Sequence, residues 1–192
     1  MRVKICGITR PEDAVFAESC GADAVGVVVF SDSRRSVSAE RAKEIFDAVG
    51  PFTTTVAVTH TTSEEDIAKI LKIGPDAMQI FHPFPRSVCG KVNVLQAVYP
   101  GAPLLPDPDA VIIDESHGTG RPFSGNYFRE IASKVNVPVI LAGGLNPENV
   151  RQAIRDFRPY AVDVASGVEE RVGIKSQEKV REFIRICREE VS

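Results

Sequence analysis

At 192 residues the chain is long enough to bury a substantial core, and its length suggests one domain or at most two. A composition of 43% hydrophobic and 26% charged residues with a net charge of −3 is ordinary for a soluble globular protein and offers no basic patch for nucleic acid. The amino terminus has no apolar signal region, no apolar run approaches the roughly 18 residues of a membrane span, and Cys6, Cys20, Cys89 and Cys187 form no Cys-x-x-Cys pair; the expectation is a cytoplasmic protein with free thiols, no membrane contact and no zinc or redox motif.

In chain order, Val3 to Cys6 reads as a strand and Pro11 to Cys20 as a helix opened by Pro11-Glu12-Asp13. Ala24 to Val29 is an apolar run of the kind buried on both faces, which completes a βαβ unit. A polar loop from Ser31 to Ser36 leads to Ser38, the expected cap of a helix reaching about Val49. Thr53 to Val58 is a third strand, Ser63-Glu64-Glu65-Asp66 starts a third helix, Gly74-Pro75-Asp76 ends it, and Ala77 to Phe81 is the fourth strand. The alternation then thins. Pro83 and Pro85 leave room for at most a short helix over Ser87 to Gly90, before a fifth strand at Val92 to Val98. Tyr99 to Pro108 carries four prolines in ten residues and fits no regular helix, so Tyr99, Leu104 and Leu105 are expected to cover the strands directly or to meet a partner subunit. Ala110 to Asp114 is the sixth strand, followed by a Gly-rich loop and a helix over Asn126 to Val135. Val137 to Leu141 is the seventh strand, and Asn146 with Pro147 opens a helix to Phe157. Ala161 to Ala165 is the eighth; Ser166-Gly167-Val168-Glu169 enters a loop, and a last helix begins near Ser176.

Eight strands alternating with six or seven helices predict an α/β fold: a single compact (β/α)8 TIM barrel over residues 1–192, with the helices around strands 4 to 6 shortened or missing. Such barrels usually need about 250 residues, so the connections must be nearly bare. The alternative is an open doubly wound sheet, which would leave the first and last strands unpaired with each other. In barrels the carboxyl ends of the strands hold the active site. Cys6 ends the first strand, Asp114 the sixth, Gly143-Gly144 follow the seventh and Ser166-Gly167 the eighth. The last two signals lie on adjacent strands and suggest a phosphate held by backbone N–H groups. Each feature has a plainer reading: a free cysteine is commonly a small buried hydrophobe, an aspartate after a strand commonly stabilises a loop, and Arg34 and Arg35 in a polar loop are commonly solvated.

The segments Lys4-Ile5-Cys6-Gly7-Ile8-Thr9, Gly21-Ala22-Asp23-Ala24-Val25-Gly26, Ser33-Arg34-Arg35 with Val37-Ser38, Ile113-Asp114 with Gly118-Thr119-Gly120, Leu141 to Val150, and Val162-Asp163-Val164 with Ser166 to Glu169 together resemble phosphoribosylanthranilate isomerase. This cofactor-free enzyme of tryptophan biosynthesis converts N-(5-phosphoribosyl)anthranilate into 1-(2-carboxyphenylamino)-1-deoxyribulose 5-phosphate by an Amadori rearrangement. The resemblance implies Cys6 as general base at C2 of the sugar and Asp114 as general acid at the ring oxygen. It further implies Arg35 at the anthranilate carboxylate, Asp163 near the bridging nitrogen, Gln79 among the substrate-binding residues, and Gly143, Gly144, Ser166 and Gly167 at the phosphate. Because an internal redox isomerisation needs no electron acceptor, no cofactor is expected, and the partner is a small phosphosugar; a homodimer stays open.

Two departures stand out. Strand four reads Gln79-Ile80-Phe81-His82 where the family often has Gln-Leu-His-Gly, so no role is carried to His82, and Gly173-Ile174-Lys175-Ser176 replaces Pro-Gly-x-Lys-Asp, with Ser176 able to cap the last helix. The mechanism also asks for a Cys6 thiolate beside a protonated Asp114, which ordinary pKa values oppose; helix amino termini and Arg35 are the groups expected to favour the thiolate. The rivals are a sister phosphosugar barrel such as an indole-glycerol-phosphate synthase, which would use lysine and glutamate, and a catalytically inert binding barrel.

Overall fold

The computed structural model describes residues 1–105, 107–114 and 125–190. Eight parallel strands close in chain order: β1 (Arg2–Ile5), β2 (Ala24–Val28), β3 (Thr54–Thr59), β4 (Ala77–Ile80), β5 (Asn93–Val98), β6 (Ala110–Asp114), β7 (Val139–Ala142) and β8 (Ala161–Val164). The closing pair sets Lys4 opposite Asp163 and Ile5 opposite Val164, so the open sheet is excluded. Both strands are too apolar to leave an edge in water: Val3, Ile5, Val162 and Val164 are buried.

Alternation along each strand divides the side chains into two sets. One set meets inside the barrel, as Cys6, Val28, Val56, Val58 and Ala77 on one side and Ala110, Ile112, Ile140, Ala142 and Ala161 on the other. The other set, including Ile5, Val27, Ile80 and Ile113, packs outward against the helices. Six α-helices are present among the described residues: α1 (Pro11–Ser19), α2 (Ala39–Asp47), α3 (Glu64–Ile73), α4 (Asn126–Ala132), α5 (Val150–Phe157) and α6 (Gln177–Glu189). Ser38 caps α2 by accepting the Arg41 N–H, and Ser176 caps α6 by accepting the Lys179 N–H, both as expected from sequence.

The face where the strands begin repeats one device. Asp23, Asp76 and Asp109 each precede an even-numbered strand, and each carboxylate accepts a backbone N–H from the strand before it, Val3, Thr55 and Val94 respectively, at 2.8, 2.8 and 2.7 Å. These charge-assisted bonds tie neighbouring strands in pairs at the end of the barrel remote from the active site.

Between β4 and β6 the chain has no helix among its described residues. The short helix expected over Ser87 to Gly90 is a pair of turns closed by Val88 N–H to Pro85 O and Cys89 N–H to Arg86 O. Pro83 and Pro85 lack the amides a helix would need there. After β5, the side chain of Gln96 takes the place of helix packing: its amide donates to Pro103 O at 2.6 Å and its oxygen accepts Leu105 N–H at 2.8 Å. Leu105 packs on the core as expected, Leu104 is 37% exposed, and Tyr99 turns into the barrel mouth instead of covering the strands.

Other boundaries differ from the reading above, among them the helix expected over Asn126 to Val135, which ends at Ala132, and the strand expected from Val137, which begins at Val139. The helix expected to open at Asn146 begins at Val150, because Asn146 and Asn149 exchange side-chain to backbone bonds of 2.9 and 3.0 Å that close a turn first. The loop after β8 contains a 3-10 turn at Ser166–Val168 and a small antiparallel hairpin of β9 (Glu169–Arg171) and β10 (Ile174–Lys175), turned through Gly173 at φ 82°. The Gly118-Thr119-Gly120 segment and Pro106 lie outside the described residues.

Candidate active site

The carboxyl ends of the strands surround a cavity of about 770 Å³, lined by residues from the ends of all eight strands or the loops that follow them. At its floor, Lys4 and Cys6 are two residues apart on the first strand and its extension, so both point inward. Lys4 is 3% exposed, and its Nζ donates to Gln79 Oε1 and to Asp163 Oδ2, both at 2.9 Å. The other carboxylate oxygen, Asp163 Oδ1, is buried without a partner among the described residues. Such an acceptor is costly to bury empty and is suited to a ligand N–H or O–H. Space for this cluster comes from Gly26 on β2: a Cβ there would lie 2.9 Å from Cys6 Sγ and 3.2 Å from Lys4 Nζ.

The protonation balance follows from burial. Desolvation pushes the Cys6 thiol above its ordinary pKa, although Lys4 and, less strongly, Lys175 pull it down. Burial likewise raises the pKa of Asp163, partly offset by Lys4. Burial opposes the charge on Lys4, but Asp163 and Cys6 outweigh it and hold its pKa above the usual lysine value. The expectation that the surroundings favour a Cys6 thiolate is corrected: burial outweighs the nearby cations.

Arg35 crosses above the first strand. Gly7, at φ 71°, has no side chain to block it; a Cβ would meet Arg35 Cδ at 2.6 Å. The guanidinium binds Glu169 through Nε and Nη2 at 2.8 and 2.7 Å, leaving Nη1 for a ligand. Glu169 also accepts Gly173 N–H at 3.1 Å and Lys175 Nζ at 3.2 Å, and Lys175 donates to Ala165 O at 3.0 Å. Burial alone would raise the Glu169 pKa, but these donors hold it below the ordinary carboxylate value. Arg34, in contrast, is exposed and does not line the cavity.

Gly143 and Gly144, at φ 94° and 67°, follow β7 in a conformation that glycine adopts freely. Asn149 Nδ2 holds the Gly144 carbonyl at 2.9 Å, while a Cβ on Gly167 would overlap the Leu145 carbonyl oxygen. The loops after β7 and β8 are thus in backbone contact, beside the 3-10 turn that begins at Ser166.

Of the residues singled out from sequence, Cys6, Asp114, Arg35, Gln79, Asp163, Gly143, Gly144 and Ser166 line this one cavity, and Gly167 packs behind it. Gln79 is already engaged by Lys4. His82 turns away to meet Phe84 edge-on, with ring centroids 4.7 Å apart, and it is Phe81 that faces the cavity. Sequence reasoning missed Lys4, whose inward direction follows from its spacing to Cys6, and Glu169, whose partner lies 134 residues away. It also missed His60, which follows β3, lines the cavity and has its pKa lowered by partial burial.

Comparison with known proteins identifies the family. A family profile described as N-(5'phosphoribosyl)anthranilate (PRA) isomerase matches residues 3–186. The N-(5'-phosphoribosyl)anthranilate isomerase of Methanoregula boonei is 57% identical over 190 residues, covering 98% of this chain and 97% of its own. The crystal structure of the Thermus thermophilus isomerase superposes with a TM-score of 0.87 at 35% identity, covering 98% of this chain and 99% of that one. A solved isomerase in complex with reduced 1-(o-carboxyphenylamino)-1-deoxyribulose 5-phosphate does so with a TM-score of 0.81 at 33% identity and the same coverage. With its closed barrel and its match over nearly the whole length, the chain belongs to the phosphoribosylanthranilate isomerase family.

Proposed function

We propose that this cavity carries out the family's Amadori rearrangement with Cys6 as general base and Asp114 as general acid, in a protein whose residues 1–192 act as one barrel unit. The observation that carries the reading is the meeting of a thiol, a carboxyl group and two glycine-containing loops in one cavity at the carboxyl ends of the strands. The 5-phosphate is taken by backbone N–H groups of the loops holding Gly143, Gly144 and Ser166, with Gly167 keeping the two loops in contact. Asp163 offers its unpartnered Oδ1 to the bridging nitrogen, and Arg35, held by Glu169, offers Nη1 to the anthranilate carboxylate.

The order of steps follows from the electrostatics. Asp114 gives a proton to the furanose ring oxygen, the bond from C1 to that oxygen breaks, and the nitrogen lone pair forms a C1=N double bond bearing positive charge. That cation acidifies the C2 proton and favours a thiolate beside it, which offsets the burial that holds Cys6 protonated in the free protein. Cys6 then removes the C2 proton, the electron pair forms C1=C2 as the C1=N electrons return to nitrogen, and the enol-amine tautomerises to the ketone. One proton is taken and one given, and no external electron acceptor enters.

Turnover of N-(5-phosphoribosyl)anthranilate by the purified protein tests the reading; binding of the reduced product without turnover would favour the inert barrel instead. A cytoplasmic setting belongs to the same proposal, supported by four free cysteines, as does a homodimer, supported by Leu104 exposed on the helix-free wall. Sedimentation velocity distinguishes dimer from monomer.

A further inference from the structure

The wall of the cavity opposite the glycine loops is aromatic. In a closed barrel ordered β1 to β8, the strands across the interior from β7 and β8 are β3 and β4. His60 follows β3 and Phe81 follows β4, and their rings stack with centroids 4.0 Å apart and planes 21° from parallel. Phe81 continues the inward face of Gln79 and packs against the apolar cluster that contains Cys6, Val28 and Val58. The stack therefore begins where the immediate surroundings of the thiol end. The imidazole is fixed from the loop after β2 by Ser31, whose Oγ lies 2.9 Å from Nδ1. Both rings line the cavity, and His60 is exposed.

We propose that the pair of His60 and Phe81 is the surface on which the aryl ring of the substrate packs, with His60 acting as a specificity residue supplied by the third strand. This rests on the reading of the site given above. The substrate carries a phosphate at one end, an anthranilate at the other and the reacting carbons between them. With the phosphate on the loops after β7 and β8 and C2 beside Cys6, the aryl end is directed across the barrel toward β2, β3 and β4. Arg35 meets the carboxylate from the side of β1 and β2, and the ring then needs a flat partner on the side of β3 and β4. Aromatic pairs prefer offset or edge-to-face contact, which a solvent-facing ring fixed at one nitrogen can provide.

Calorimetric titration of the wild type, His60→Ala and His60→Phe with two probes tests this. One probe is reduced 1-(o-carboxyphenylamino)-1-deoxyribulose 5-phosphate; the other, ribose 5-phosphate, lacks the aryl ring. His60→Ala is expected to weaken the first about two- to tenfold and leave the second unchanged, while His60→Phe keeps the first within about twofold of wild type. Wild-type affinity in His60→Ala, an equal loss for both probes, or a loss in His60→Phe as large as in His60→Ala would each overturn the assignment of His60. Failure of the wild type to bind the reduced product would overturn the reading of the site itself, and this proposal with it.

Discussion

Gly26→Ala tests whether the position of the Cys6 thiol limits catalysis. The new Cβ would lie 2.9 Å from Cys6 Sγ, 3.1 Å from Lys4 Cε and 3.2 Å from Lys4 Nζ. Comfortable contacts begin near about 3.5 Å, so the thiol must retreat by about 0.6 Å and the lysine by about 0.3 to 0.4 Å. Misplacing a reacting group by about 1 Å costs on the order of a hundredfold, so a loss of about ten- to a hundredfold is expected, mainly in kcat. Overpacking costs about 1 to 3 kcal/mol, and the better strand propensity of alanine returns about 0.5 to 1 kcal/mol, so the fold survives. Steady-state kinetics with a thermal melt on the same sample separate the two effects. In a Cys6→Ala background the overlap with sulfur is gone, and the destabilisation by Gly26→Ala should shrink by about 1 kcal/mol, read as a coupling energy. A kcat within about twofold of wild type, with the melt unchanged, would refute the argument that Gly26 makes room for the thiol.

Cys6→Ala and Asp114→Asn are each expected to lose at least about 10²- to 10⁴-fold in kcat/KM with circular dichroism unchanged; near-normal turnover in either defeats the assignment of base and acid. Gly144→Val forces a branched side chain into φ 67°, and a strong rise in KM with weakened product-analogue binding is expected; unchanged affinity would remove the phosphate from that loop. Arg35→Ala should cost about ten- to a hundredfold in kcat/KM while exposed Arg34→Ala stays near wild type, and Glu169→Ala should also destabilise the fold by about 3 to 5 kcal/mol in urea titration, because Lys175 is left buried without its carboxylate. For pH, the reaction needs Cys6 ionised while Asp114 is protonated, so kcat/KM should be bell-shaped; burial holds the free-enzyme thiol above its ordinary 9.0, and the alkaline limb, where that thiol ionises, should lie above this value. Lys4→Met removes the nearest cation and should move that alkaline limb to higher pH; a limb centred well below 9.0 in the wild type would contradict the dominance of burial over Lys4.

Much of the barrel was legible along the chain because its signals are local. Alternation and apolar runs mark each strand, Pro11, Ser38 and Ser176 start helices at short range, and Pro83, Pro85 and the prolines after Tyr99 exclude helices where none forms among the described residues. The strand ends bearing Cys6, Asp114, Gly143 and Ser166 were readable for the same reason, since position along a parallel strand decides which edge a residue reaches. Where α5 begins was misread because two asparagines bonding each other's backbone compete locally with the helix, and composition does not say which wins.

What only the tertiary structure decided concerns contacts between strands distant in sequence. Closure of β1 on β8 brings Lys4 to Asp163, 159 residues away, and the same closure seals them from water. The pKa of Cys6 depends on that burial and on two lysines from separate parts of the chain, which is why its ionisation was anticipated in the wrong direction. Arg35 is oriented by Glu169 on a hairpin that reads locally as a polar loop, and His60 finds Phe81 only because β3 and β4 are neighbours in the barrel. Local chemistry placed each group at the rim; desolvation and cross-strand pairing, which depend on the closed barrel, set its charge and its direction.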